Sequence, residues 1–159
     1  MMRAVAFALA LCAPLPALAL SCVAPSVERS YQQLHAAKET YVIVHGRLTF
    51  DESQLPKGIS QDRQPAKMTQ IKGTLLGKSL GKTGFKTPFD QLVTLEVACF
   101  GPWCGAAKNG QDVLAFVRRD AGTYAIGVNP CGGFVFSAPK RKMLKAVQKC
   151  MRGGSCKAR

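Results

Sequence analysis

Between Leu92 and Cys99 apolar and polar residues alternate without a break, so that Val93, Leu95, Val97 and Cys99 point one way. A period of two marks a strand with one buried face. Tyr41–Phe50 repeats the pattern with Val42, Val44, Leu48 and Phe50. Gly46 stands in the same register, where a missing side chain permits a bend or a close approach. His45 then falls on the opposite face, with no Cys, Asp or second His close to it in sequence. Met68–Leu76 alternates less regularly, with Ile71, Gly73 and Leu75 on one side. Val113–Arg118 and Tyr124–Val128 complete five predicted strands, the last two joined by the turn Arg119-Asp120-Ala121-Gly122. Phe134 and Phe136 add apolar material beyond them.

Two segments follow the helical period instead. Ser26 is a capping residue for a helix over Val27–Lys38, with Val27, Tyr31, Leu34 and Lys38 along one stripe. Pro139 opens a second helix, Lys140–Met151, whose Met143, Leu144, Val147 and Met151 face the core. The polar Asp51–Pro65 and the Gly- and Lys-rich Gly77–Gln91 are predicted as connections. No internal repeat is present. Five strands and two flanking helices predict a mainly β domain: a five-stranded, oligonucleotide/oligosaccharide-binding (OB) fold-like Greek-key barrel with a short N-terminal and a C-terminal helix. A β-sandwich ordinarily needs about seven strands.

The first residues set the compartment. Arg3 precedes an apolar run from Ala4 to Leu11, Pro14 and Pro16 break it, and Ala17-Leu18-Ala19 forms an A-x-A cleavage signature. This is the layout of a secretory signal peptide over residues 1–19. The run is far shorter than the roughly 20 residues a membrane span needs. The expected mature domain is therefore 20–159, beginning at Leu20, exported and either periplasmic or secreted. Lipid attachment at Cys22 is the alternative; Ala19-Leu20-Ser21 fits a lipoprotein signal poorly.

Cysteine usage agrees with export. Cys12 leaves with the signal, and Cys22, Cys99, Cys104, Cys131, Cys150 and Cys156 remain, an even number that reads as three disulfides. A metal site is not expected, because there are two histidines, His35 and His45, and no C-x-x-C pair. Charge sets the expected partners. The chain carries a net +13, and losing Arg3 leaves +12. Lys67–Lys86 holds five lysines and no acid, and Lys140–Arg159 holds eight basic residues and no acid. An exported protein of this charge meets an acidic protein, an anionic glycan or an anionic membrane surface rather than nucleic acid. Lys140, Arg141, Lys142, Lys145 and Lys149 are the candidate polyanion-binding residues. Three of them crowd a helix N-terminus, where cations are disfavoured.

Other motifs lead nowhere. Trp103-Cys104-Gly105 has the look of a thioredoxin site, but Ala107 stands where the resolving thiol belongs. GTLLGKS and GKSLGKT place three residues between their glycines, whereas a phosphate loop places four. Neither a Ser/His/acid arrangement nor a carboxylate pair stands out, so neither a catalytic residue nor a cofactor is expected.

The order of elements is informative. Cys22-Val-Ala-Pro starts the mature chain, a short helix precedes YVIVHGRL, and WCGAAKNGQDVLAFV, YAIGVNPC and a helix ending in Cys150 follow. This arrangement resembles the netrin-like domain family, which includes the tissue inhibitors of metalloproteinases. The resemblance covers nearly all of Cys22–Cys150. It implies a five-stranded barrel with an N-terminal cysteine stapled to it, and pairs Cys22 with Cys131. The short spacings, with Gly or Pro between, pair Cys99 with Cys104 and Cys150 with Cys156, out of 15 pairings that six cysteines allow. Family metalloproteinase inhibitors bind the target's zinc through the α-amino group of a Cys-x-Cys start. Leu20 occupies that place here, a departure from the pattern. The expected function is a basic, non-enzymatic binding module. The alternatives are an inhibitor of an extracytoplasmic protease, and a thiol-linked enzyme acting through Cys104.

Overall fold

The computed structural model describes residues 20–57 and 65–158. Residues 1–19, where the signal peptide and its cleavage site are expected, and residues 58–64 of the Asp51–Pro65 connection lie outside the described residues. Helix α1 (Val27–His35) leads into β1 (Thr40–Phe50), followed by β2 (Met68–Gly81), β3 (Gly84–Phe100), the short β4 (Trp103–Cys104), β5 (Gln111–Asp120), β6 (Thr123–Val128), β7 (Val135–Ser137) and α2 (Arg141–Met151). Five of the strands form a barrel-like ring in the order β1-β2-β3-β6-β5, with β5 returning to β1. Every neighbour in the ring is antiparallel except β3 and β6, which run parallel. The ring is not a closed barrel: β6 joins β3 over Thr94–Val97 and β5 over Arg118–Asp120. β4 and β7 are short additions, to β3 and β5 respectively.

Alternation decides what the ring encloses. Val44, Leu48, Ile71, Leu75, Leu95, Val97, Ala115, Val117 and Ile126 are buried in one interior cluster. In β5 the run Val113–Val117 is buried on both faces. Val113, Ala115 and Val117 fill the ring, while Leu114 and Phe116 belong to a second cluster outside it. That cluster also holds Val27 and Leu34 of α1, Val147 of α2, Ile43 and Phe136, so both helices cover the outer face of β1 and β5.

Gly46 and Gly77 are Cα partners between β1 and β2. A Cβ on Gly46 would stand 2.2 Å from Leu76 O, and one on Gly77 would stand 2.2 Å from His45 O. The close approach that Gly46 permits is therefore used, and it requires glycine on both strands.

Three expectations need correction. Gly77–Gln91 is not a connection: β2 and β3 form a long hairpin that turns at Lys82-Thr83. Pro88 is tolerated because β6 covers β3 only at Thr94–Val97, leaving a free edge at the proline. Helix α1 ends at His35 rather than Lys38. Lys38 is exposed beyond it, because the chain must turn into β1, whose Thr40 already pairs with Arg119. The last helix begins at Arg141, with Lys140 extended before it. Among the described residues no helix is long and apolar enough to cross a membrane.

Candidate functional site

Helix α2 begins under unfavourable conditions. Its N-cap residue, Lys140, makes no side-chain capping bond, and its first turn contains no acid. Arg141 and Lys142 stand there instead, against the partial positive charge of the helix end. Packing fixes the rotation of the helix: Val147 is fully buried, with Met143, Leu144 and Met151 packed beside it. The opposite face then carries Lys142, Lys145 and Lys149 at i, i+3 and i+7, a row about 10 Å long. These three line an open groove with Ala146, Glu28 of α1, and Ser155 and Lys157 of the C-terminal tail. The groove encloses about 550 Å³, within the range of ligand clefts.

The tail reaches the groove because a disulfide turns it back. Cys150 and Cys156 are bonded, and Gly153 takes φ +77° to reverse the chain. Gly153 N and Gly154 N donate to Cys150 O and Lys149 O, each at 3.0 Å. A Cβ on Gly154 would lie 2.8 Å from Lys149 Cγ, so the tail passes close against that lysine. Gln32 Nε2 donates to Cys156 O at 2.6 Å, tying the tail to α1. Lys157 is thereby placed beside α2.

Of the five residues singled out in sequence, Lys142, Lys145 and Lys149 share the groove. Lys140 and Arg141 are exposed and do not line it. Lys157, Ser155 and Glu28 are the members that sequence reasoning missed. The acid-free run from Lys140 included Lys157, but only the disulfide shows where it goes. Among the described residues there are two ion pairs, His45–Asp112 and Arg118–Glu96, and neither involves α2 or the tail. Glu28 borders the groove without coming within 4.0 Å of a lysine nitrogen.

The remaining four cysteines are also paired. Cys22 bonds Cys131, and Cys99 bonds Cys104. Cys104 is paired across the hairpin with Cys99, and Phe100 with Trp103. The glycine after Cys104 has a packing reason: Gly105 N donates to Ala98 O at 2.8 Å, and a Cβ there would meet Val128 O at 2.2 Å. His45 does lie on the outer side of β1, where its Nε2 sits 2.8 Å from Asp112 Oδ2 with the Phe85 ring edge-on. Arg118 grips Glu96 with two bonds, of 3.0 and 2.6 Å, and this hydrogen bonding holds its guanidinium above the ordinary value. Burial, and next the Glu39 carboxylate, push the Tyr41 hydroxyl up. Among the described residues there is no group of three His, Cys, Asp or Glu that could hold a metal ion. An apolar pocket bounded by Leu34, Tyr41, Ile43, Phe116 and Met151 encloses about 260 Å³, below the usual size of a ligand site.

Comparison with protein-family models, with curated proteins and with solved structures found no match.

Proposed function

We propose that this chain is an exported, disulfide-stapled binding module of netrin-like, OB-fold type that holds an acidic partner in the groove of α2. The observation that carries the reading is the convergence of Lys142, Lys145, Lys149 and Lys157 on one groove without a paired carboxylate. Such a cluster is held at an electrostatic cost within the free protein, since Lys145 and Lys149 are like charges at i, i+4. A counter-charged ligand turns that cost into binding free energy. Export is supported by three disulfides, which belong to oxidising compartments, and by the signal-like N-terminus. The netrin-like reading is supported by the ring order and by the staple from Cys22 to Cys131. The partner is an acidic protein, an anionic glycan or an anionic membrane surface, and the role is binding rather than catalysis.

Retention on a heparin resin tests the reading. The oxidised wild-type chain should be retained at low salt and released as salt rises, because exposed charges are screened over about 8–10 Å at physiological ionic strength. Lys142→Gln, Lys145→Gln, Lys149→Gln and Lys157→Gln together should abolish retention while leaving thermal stability unchanged or higher. Equal retention of the two proteins would overturn the proposal.

A second reading, inhibition of an extracytoplasmic protease, rests on a different place. Ser21–Pro25 is exposed and is fixed to the body of the protein at Cys22–Cys131. A protease panel assayed with the wild type and with Val23→Asp separates it from the first. Inhibition that Val23→Asp relieves and the four glutamines do not would favour it.

A further inference from the structure

Exposed apolar side chains gather where β2 begins and β3 ends. Of the six large hydrophobic residues exposed among the described residues, Met68, Phe100 and Trp103 stand there, exposed by 51%, 46% and 38%. Phe100 and Trp103 are Cα partners across the turn from β3 to β4, so their side chains share a face. Met68 stands opposite Ala98, two residues before Phe100 on that same face. It is therefore the diagonal neighbour of Phe100, at about 7–8 Å and within reach of an aromatic ring. Scattered exposed apolar residues need no explanation, but these three form one spot at the tip of a turn.

The tip is built to hold its shape. Gly101 and Pro102 alone make the turn, and Gly101 takes φ +59°, the positive value that a two-residue hairpin needs at its first position. The Cys99–Cys104 bridge clamps the next pair of residues, and Cys99 N donates to Lys67 O at 3.0 Å, which fixes Met68 beside them. The turn therefore does not depend on its aromatic side chains to close. The Trp103 ring lies over it, with Cζ3 3.9 Å from where a Gly101 Cβ would stand. Charge then narrows the partner. Pro65–Lys72 and Val97–Lys108, the segments that form this end, carry Lys67, Lys72 and Lys108 and no acid. Glu96, next along β3, is gripped by Arg118. All four residues of the turn are exposed, so it encloses no small ligand and instead enters a soft or concave partner. An indole and a phenyl ring beside lysines have the chemistry of the membrane–water boundary, where amphipathic rings sit at headgroup level and cations meet anionic lipid.

We propose that the β3–β4 tip is a membrane-contact site, at which Met68, Phe100 and Trp103 enter the headgroup boundary of an anionic bilayer. Choosing a bilayer among acidic partners rests on the binding-module reading, but the contact is made by residues outside the α2 groove. Three side chains give only a marginal, reversible anchor, so binding needs a second signal from anionic lipid. Lys67 and Lys108 supply it at the tip, and the net +13 of the chain draws the protein to such a surface from farther away.

Trp103 is the only tryptophan of the chain, so its fluorescence reports on the tip directly. Phosphatidylcholine vesicles with and without phosphatidylglycerol, added to the oxidised protein, test the proposal. With phosphatidylglycerol the Trp103 emission should shift to the blue and be quenched by brominated acyl chains, and phosphatidylcholine alone should do far less. In co-sedimentation Phe100→Ser should weaken vesicle binding about tenfold and Met68→Ser severalfold, because each removes a large apolar side chain from the contact. Heparin retention and melting temperature of both variants should stay close to the wild type, since these side chains are exposed and the Cys99–Cys104 bridge holds the turn. The four α2 and tail glutamines should weaken binding to phosphatidylglycerol vesicles yet leave the Trp103 shift intact at saturating lipid. A shift on vesicles from a wild type that heparin does not retain would sink the groove and uphold the tip. Vesicles that leave Trp103 emission unmoved, whether or not they bind the protein, would overturn the proposal. So would equal shifts with the two lipid compositions, or a folded Phe100→Ser that binds as tightly as the wild type.

Discussion

Single residues show where the chain accepts a local cost. Ala121 sits at φ +43° beside Gly122 at φ +85°, the pair of left-handed residues that a two-residue hairpin between β5 and β6 requires. Alanine is strained there, whereas Asn-Gly is the preferred pair for this turn. Ala121→Asn should raise unfolding stability by about 1 kcal/mol in a denaturant titration. Asp51 shows a gain instead. Its carboxylate accepts from Ser53 Oγ at 2.6 Å, Gln54 Nε2 at 2.9 Å and Ser53 N at 3.0 Å. These bonds, the Ser53 side chain first, hold its pKa below the ordinary aspartate value. A carboxyl depressed on folding stabilises fully above its unfolded pKa and loses that contribution as pH falls through the folded one. NMR titration should find Asp51 below the usual aspartate range, and Ser53→Ala should move it back up. A Ser53→Ala protein with Asp51 unmoved would refute this account of the turn.

At the scale of the element, α2 is the informative case. A helix that lacks a capping side chain and opens on three cations is stabilised from outside, by packing of Val147 and its neighbours and by the Cys150–Cys156 bridge. Lys140→Asp should supply both the missing cap and a favourable charge, raising stability by about 1–2 kcal/mol. Because Lys140 is outside the groove, the same variant should weaken heparin retention far less than Lys149→Gln does. The reverse ranking would move the binding face to the start of the helix. That position is where sequence reasoning concentrated the charge, since neighbours along the chain are all it could count. The helix, its inward stripe and three of its lysines were legible from spacing. The contribution of Lys157 was not, because it depends on a covalent turn and on a bond from Gln32 to Cys156, which are 124 residues apart.

On the scale of the whole molecule, the three disulfides do unequal work. Cys22–Cys131 closes a separation of 109 residues, and Cys150–Cys156 closes one of 6. In the chain-entropy model these restrict the unfolded chain by about 5 and about 2 kcal/mol. Replacing Cys22 and Cys131 by Ser should therefore lower the denaturant midpoint clearly more than replacing Cys150 and Cys156. The second pair should instead show itself in binding, lowering heparin retention about as far as Lys157→Gln because the tail leaves α2. Equal stability losses from the two pairs would refute the unequal roles. One bridge thus holds the N-terminal segment to the molecule, and the other builds a wall of the groove.

The sequence by itself determined the strands whose alternation is uninterrupted, the Ser26 cap, the inward faces of both helices and the class of fold. These are local: the side-chain period of a strand or helix is set by backbone geometry within a few residues. At Gly46 the sequence left a bend and a close approach equally open; the structure takes the close approach and supplies Gly77 as its partner. Tertiary structure decided the rest. The Gly77–Gln91 segment reads as loop because glycine, lysine and proline are poor strand formers, yet pairing with β2 and the free edge at Pro88 make it a hairpin. The composition of the lysine groove was likewise settled by where the disulfide-turned tail lies against α1 and α2. It arises from contacts between residues remote in the chain, whose energies no local pattern contains.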